Sequence, residues 1–141
     1  MIEVDITSIE GHRLHLEGGQ RSTGTGEPWS LLAVLENSHG RASSPVWDVG
    51  NELIGLFNGI ARDWRGWDGT RSYSSLEGEL DIAARHDGIG QIRLVVSLGS
   101  LSPPSWRLET EMTLGAGAHA ETVAASVAGL IAALEPGAPR N

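Results

Sequence analysis

Apolar and polar residues alternate along much of the chain, a period that predicts β-strands with one buried face. The alternation is clear over residues 2–7 and 13–17. Residues 28–36 are apolar almost throughout, which is typical of a strand covered on both faces. A polar turn follows at residues 37–40, and residues 41–47 are predicted to form the next strand. The first third of the chain is therefore predicted to be β-structure.

Two segments show instead the three- and four-residue spacing of an amphipathic helix. The first covers about residues 50–64, and its apolar stripe ends at Trp64, which we expect to anchor the helix to the sheet. The second covers about residues 119–134 on an alanine-rich background, and Glu135 and Pro136 stop it.

Between the helices the pattern predicts three antiparallel strands joined by short turns, over residues 76–84, 92–98 and 106–114. The alternate positions of the first of these strands are acidic: Glu77, Glu79 and Asp81. The next two strands place Arg93 and Arg107 beside them. We interpret these side chains as a solvated sheet face with opposite charges paired across strands, not as catalytic carboxylates.

Together these elements predict an α+β fold: a single antiparallel sheet of about six strands with two helices packed on one face. A sheet with one apolar face needs a cover, and two amphipathic helices can supply it. The chain has 141 residues, of which 40% are hydrophobic, so it is long enough to bury one such core. We predict a single domain over residues 1–141.

The charge balance and the absence of certain residues narrow the expected partners. The 18 acidic and 10 basic residues give a net charge of −8. Nucleic acid and anionic membranes are therefore disfavoured as partners, whereas a basic protein is favoured. The chain has no cysteine, no cationic apolar leader and no apolar run of about 18 residues. These features predict a cytoplasmic protein.

Patterns that indicate catalysis or metal binding are missing from the sequence. No HExxH or HxxxH spacing occurs, and His12 and His15, three apart in a predicted strand, face opposite sides. All five histidines are therefore interpreted as solvent-exposed side chains. The serines lack a nucleophile elbow, and neither GxG segment opens a helix. We expect no catalytic residue, no metal site and no cofactor.

The segment that joins the first helix to the three-stranded region is the best candidate for binding. Residues 64–73 contain two tryptophans, a tyrosine and two arginines, which are residue types that dominate binding hot spots. The acidic face that begins at residue 77 follows directly. The predicted partner-binding residues are Trp67, Asp68, Arg71, Tyr73, Glu77 and Glu79.

Five short segments resemble a known family, in this order along the chain: FNGIA at 57–61, WRGWDG at 64–69, SLEGEL at 75–80, HDGIGQI at 86–92 and PSWRL at 104–108. They are similar to the uncharacterised actinobacterial proteins grouped as DUF6228. More loosely, the layout is similar to that of WapI-like immunity proteins, in which a helix precedes strands with acidic–apolar alternation and a D-x-x-G-H-V turn. Gln91 stands where that turn has its histidine. The resemblance implies a role in binding and neutralising a toxin domain.

The resulting expectation is a non-enzymatic cytoplasmic protein of the immunity type that binds a basic toxin domain. Two other functions remain as alternatives. One is a small-ligand-binding or enzymatic domain with a pocket between the sheet and the helices. The other is a homodimeric accessory domain that pairs through an exposed face or edge of the sheet.

Overall fold

The computed structural model describes residues 2–136; Met1 and residues 137–141, which the predicted domain includes, lie outside the described part. Over the described residues the chain forms four strands, a helix, four more strands and a second helix. The first half contains β1 (Glu3–Thr7), β2 (Arg13–Gly18), β3 (Trp29–Asn37), β4 (Gly40–Asp48) and α1 (Glu52–Arg62). The second half contains β5 (Arg71–Ser74), β6 (Leu80–His86), β7 (Gln91–Ser100), β8 (Trp106–Gly115) and α2 (Ala118–Leu134).

The strands form two antiparallel sheets of four strands, not one sheet of about six. Strands adjacent in sequence pair with one another, in the orders β1-β2-β3-β4 (sheet A) and β5-β6-β7-β8 (sheet B). The α+β class and the antiparallel pairing are confirmed, whereas the single sheet with helices on one face is wrong. The reason is that alternation shows which face of a strand is buried but not which neighbour its edge pairs with. Helix α1 and the loop after it separate β4 from β5, so β5 can begin a new sheet.

One hydrophobic cluster contains residues from both sheets and both helices. Helix α1 buries Leu53, Phe57 and Ile60 and packs against α2, which also contacts β1, β2 and β8. The sheets meet directly where β3 contacts β8 and β4 contacts β7. Burial of a large apolar side chain stabilises the fold by about 1.5–3 kcal/mol. The helices therefore serve as a shared cover for both sheets.

Helix α1 is shorter than predicted and ends before Trp64. The Asp63 N–H donates to the Gly59 carbonyl at 3.0 Å, and Gly66 then adopts a φ of +141°, which turns the chain away. The Trp64 side chain is 40% exposed, and the Arg65 guanidinium lies 5.0 Å from the centroid of its ring. The expectation that Trp64 anchors the helix to the sheet is wrong.

The turn between β1 and β2 fastens sheet A to the free edge of β8. The Ile9 N–H donates to the Thr113 carbonyl at 2.8 Å. The Glu10 carboxylate accepts hydrogen bonds from the Thr113 N–H, at 3.0 Å, and from the Thr113 hydroxyl. The His12 Nδ1 donates to the Glu111 carbonyl at 2.9 Å. An unpaired edge strand is a template for aggregation, and this turn covers part of that edge.

The Glu10 carboxylate gives this contact a pH dependence. The hydrogen bond from the Thr113 side chain lowers the pKa of Glu10 from 4.5 to about 2. A group whose folded pKa is depressed contributes stability above its unfolded pKa, and this contribution disappears as the pH falls through the folded pKa. Glu10 therefore stabilises the fold above about pH 4.5 and ceases to do so near pH 2.

We predict that Glu10→Gln lowers the free energy of unfolding by up to about 1 kcal/mol at pH 7, because the carboxylate is exposed and solvent screens its interactions. The difference from the wild type should shrink between pH 4.5 and pH 3, as measured by urea denaturation. Glu27→Gln, in an exposed loop, serves as the control. A difference that is independent of pH would contradict the assigned role of Glu10.

Candidate functional site

The structure divides the six predicted partner-binding residues among three places along β5. Where the strand begins lie Trp67, Asp68 and Arg71. Beyond its last residue lie Glu77 and Glu79, and Tyr73 is buried between these two groups. Because β5 has four residues, the two outer groups are roughly 10 Å apart along the strand. Their role in binding stays a prediction, and it now concerns two surfaces. We call them the loop end, formed by residues 63–70 and 86–90, and the hairpin end, formed by residues 75–79 and 101–106.

Arg71 holds the loop end to helix α1. Its guanidinium lies 4.6 Å from the centroid of the Trp67 ring, donates to the Gly59 carbonyl at 3.0 Å and pairs with Asp63 at 2.8 Å. Hydrogen bonds from Arg62 and then Arg71 lower the pKa of Asp63 to about 2. Trp67 is half-buried, whereas Asp68 is exposed. The Arg71 guanidinium and the Trp67 ring, which were predicted to bind a partner, therefore hold the loop in place.

An open cleft of about 470 Å³ lies beside Trp67, between the loop and the turn after β6. The His86 ring meets Trp67 edge-on, with 5.5 Å between the ring centroids. The His86 Nδ1 accepts the Gly88 N–H at 2.9 Å, so the proton is on Nε2, which donates to the Trp64 carbonyl at 2.7 Å. Both ring nitrogens of His86 are thus engaged in joining the turn to the loop.

Tyr73 belongs to the interior of the protein. Its side chain is 4% exposed, and its hydroxyl donates to the Asp48 carboxylate at the end of β4, which is also 4% exposed. The other Asp48 oxygen accepts the Val49 N–H at 2.7 Å. Burial, and then the hydrogen bond to Asp48, raises the pKa of Tyr73 well above its usual range. The pair joins sheet B to the last residue of sheet A.

We predict that Tyr73→Phe lowers the free energy of unfolding by about 1.5–3 kcal/mol, because the buried Asp48 carboxylate loses a hydrogen-bond donor. The loss is measurable by urea denaturation at pH 7. The matched control is Ser72→Ala, at the neighbouring exposed position of β5, which should have an effect within about 0.5 kcal/mol. Equal effects of the two substitutions would contradict a structural role for this pair.

Glu77 and Glu79 lie in a tight turn, not on the face of a strand. The Ser75 N–H donates to the Leu80 carbonyl at 3.0 Å, and Gly78 adopts a φ of +73°, so β6 begins only at Leu80. Glu79 accepts the Ser75 hydroxyl at 2.7 Å and the N–H of Trp47, in β4, at 3.3 Å. The predicted strand over residues 76–84 is wrong at its start, because turn geometry overrides the alternation there. Of the two carboxylates, the one on Glu77 is the more exposed.

Three large apolar side chains are exposed at the hairpin end: Leu76 at 55%, Leu101 at 72% and Trp106 at 40%. Leu101 lies against Gly78, and this contact connects the turn at residues 75–79 with the turn at residues 101–106. Arg107 also joins them, since it donates to the Gly78 carbonyl at 3.0 Å. The alternation of apolar and polar residues did not predict this surface, because it places Leu76 and Trp106 on the buried face. The sequence feature that indicates this surface is Leu101, an apolar residue next to a Ser-Pro-Pro turn.

The outer face of sheet A carries a second cluster, around His15. In the β1–β2 register Asp5 is opposite His15, and Glu3 is opposite Glu17. The His15 Nδ1 lies 2.6 Å from Asp5, whereas its Nε2 lies 2.9 Å from Glu17 and 3.6 Å from Glu3. His15 is only 9% exposed, so its interpretation as a solvent-exposed side chain is wrong. The spacing of His12 and His15 along one strand does not show the neighbours that the paired strand supplies.

The acids around His15 determine its protonation. Burial alone would lower the pKa of His15, but the hydrogen bonds to Asp5 and Glu17 outweigh burial and raise it above 6.5. A raised folded pKa gives stability that is complete below the unfolded pKa and is lost as the pH rises through the folded pKa.

We predict that His15→Gln destabilises the protein more at pH 6 than at pH 9, because the imidazolium is the form that Asp5 and Glu17 stabilise. Thermal denaturation in the presence of a chelator measures the difference. The control is His39→Gln, in the exposed turn between β3 and β4, which should show no such trend. A larger effect at pH 9 would refute the sign of this prediction.

Fold and surfaces together define a small α+β protein with two four-stranded meanders that share a helical cover. The chain belongs to DUF6228, a family of unknown function whose model matches residues 6–133. This confirms the family resemblance carried by the five short segments. The looser similarity to WapI-like immunity proteins is not shown by this match and stays a prediction. No curated protein and no solved structure matches the chain.

The described helices also bear on membrane association. Over residues 2–136, neither α1 nor α2 combines the length and the apolar character that a membrane crossing requires.

Proposed function

We propose that this chain is a non-enzymatic cytoplasmic protein of the immunity type, which neutralises a toxin domain by protein–protein contact. The observation that carries the proposal is the set of three exposed apolar side chains at the hairpin end, Leu76, Leu101 and Trp106. The contact between Leu101 and Gly78 brings together the two turns that carry these side chains, and exposed apolar surface of this kind is typical of sites that bind other proteins. Tryptophan is also among the residues that contribute most to such interfaces.

The charge of the chain indicates the chemistry of the partner. Glu77 is exposed next to Leu76, and the whole chain has a net charge of −8. An acidic protein attracts a basic partner at long range and so increases the rate of association. We therefore propose a partner with a basic surface around an apolar pocket that receives Trp106.

The loop end is the secondary candidate surface for the same partner. It exposes Asp68 and, beyond it, Ile89, whose side chain is 86% exposed. Arg71 interacts with the Trp67 ring and with helix α1, so these two side chains support this surface more than they extend from it. For this reason the hairpin end is proposed as the main contact.

The proposal can be tested with the product of the adjacent gene. If that product is a toxin, co-expression of this chain should rescue growth, and the purified proteins should bind in isothermal titration calorimetry. Trp106→Ala should weaken binding about 30-fold, which corresponds to about 2 kcal/mol. The matched control is Ile9→Ala, which removes an apolar side chain that is 60% exposed in the turn between β1 and β2, outside both candidate surfaces.

Four outcomes would overturn parts of this proposal. The immunity role is lost if the adjacent product is not toxic, or if it is toxic but co-expression rescues nothing. The hairpin end is excluded as the contact if Ile89→Ala weakens binding and Trp106→Ala does not. If size-exclusion chromatography shows a dimer that Trp106→Ala dissociates, the hairpin end pairs two copies of this chain instead.

A further inference from the structure

His15 is held between carboxylate oxygens on both sides of its ring. A neutral imidazole has one N–H, and the 2.6 Å contact from Nδ1 to Asp5 uses it. The Nε2 atom would then direct a lone pair at a Glu17 oxygen 2.9 Å away. Nε2 and the Glu17 oxygen would then be two acceptors in contact. Such a contact requires a positive charge between them, either a proton or a metal ion. Only 9% of His15 is exposed, so solvent water does little to screen the repulsion between these two acceptors.

The positions of the ligand atoms fit a metal ion. Nε2 of His15 and one oxygen each of Glu3 and Glu17 lie within 4.8 Å of one another. Zinc bonds of about 2.0–2.2 Å in a tetrahedron place neighbouring ligand atoms about 3.3 Å apart. The distances from Nε2 to Glu17 and Glu3, 2.9 and 3.6 Å, lie on either side of that value.

We propose that Glu3, His15 and Glu17 form a binding site for a divalent transition metal, with zinc as the best-fitting ion, on the outer face of sheet A. Magnesium and calcium prefer a shell made of oxygen ligands, whereas an imidazole nitrogen with carboxylates suits zinc. Three protein ligands leave a fourth position for water. The site lies on β1 and β2, apart from the hairpin end of sheet B, and it does not depend on the proposed function.

The surroundings of the site position its ligands. Asp5 accepts the Nδ1–H of His15, which directs Nε2 at the metal position and increases its basicity; metal-binding histidines commonly have such a partner. Arg13 in turn contacts Asp5 at 3.2 Å. On the other side of β2, Val34 is directly opposite His15 and is buried beside it. The imidazole is therefore already oriented before any ion binds.

The charges at the site also favour a divalent ion over a proton. Glu3, Asp5 and Glu17 surround one imidazole, and the nearby Arg13 is shared with Glu36. An imidazolium offsets one of the three negative charges, whereas a divalent ion offsets two and contacts two carboxylates at once. Binding exchanges the proton on Nε2 for the metal, so an ion that enters the protonated site releases that proton.

The test is a calorimetric titration of zinc into chelator-treated protein at pH 7, in two buffers that differ in ionisation enthalpy. We expect one ion per chain, proton release and a higher melting temperature. Glu17→Gln and Glu3→Gln should each weaken binding at least tenfold, and Asp5→Asn should weaken it about 10–100-fold. The controls are His39→Gln and Glu27→Gln, exposed in turns elsewhere, which should bind zinc like the wild type.

Nitrogen NMR shifts of the His15 ring provide a second readout, because a metal on Nε2 removes its proton while Nδ1 stays protonated. Failure of zinc, cobalt and manganese to bind saturably would overturn the proposal. So would unchanged affinity in Glu3→Gln, whose side chain is 56% exposed and which should therefore fold normally. An Nε2 that stays protonated in excess zinc would show that the cluster holds a proton only.

Discussion

Neither four-stranded sheet can bury its apolar face alone, and most of the structure depends on that constraint. A meander of this size is stable only when another layer covers it. Helices α1 and α2 pack on each other and contact strands of both sheets, and β3 and β4 meet β8 and β7 directly. One hydrophobic cluster results, to which both halves of the chain contribute. Each half has the same order of elements, four strands and a helix, and the two halves complete each other.

The polar contacts that join the halves lie at the margins of this core. Tyr73 and Asp48 form a buried pair where β4 meets β5, and Glu79 accepts the Trp47 N–H nearby. At the opposite margin, the Glu10 carboxylate binds the backbone and the hydroxyl of Thr113. Buried or half-buried polar groups are costly without partners, so such contacts specify one alignment of the two sheets. They also explain why Tyr73 and Glu79, which have the side-chain types of a binding site, serve the fold.

The candidates for function are two surfaces that differ in chemistry. The hairpin end presents Leu76, Leu101 and Trp106, which are suited to contact with another protein. The outer face of sheet A presents an imidazole and three carboxylates, which are suited to a cation. These surfaces lie on different sheets and can be changed separately by mutation. For a family of unknown function, this separation makes it possible to assign a defect in partner binding or metal binding to one surface.

The sequence by itself determined the local elements of this protein. The alternation over β1, β2 and β7 and the stripe of α2 depend on neighbours two to four residues apart, so they were predicted nearly to the residue. The family was also evident from five short segments. The sequence could not show that the strands divide into two sheets, because edge pairing depends on residues far apart in the chain. For the same reason only the tertiary structure decided the exposure of Leu76 and Trp106 and the burial of His15. A side chain's surroundings come from strands and turns that folding brings together, and no spacing along one strand records them.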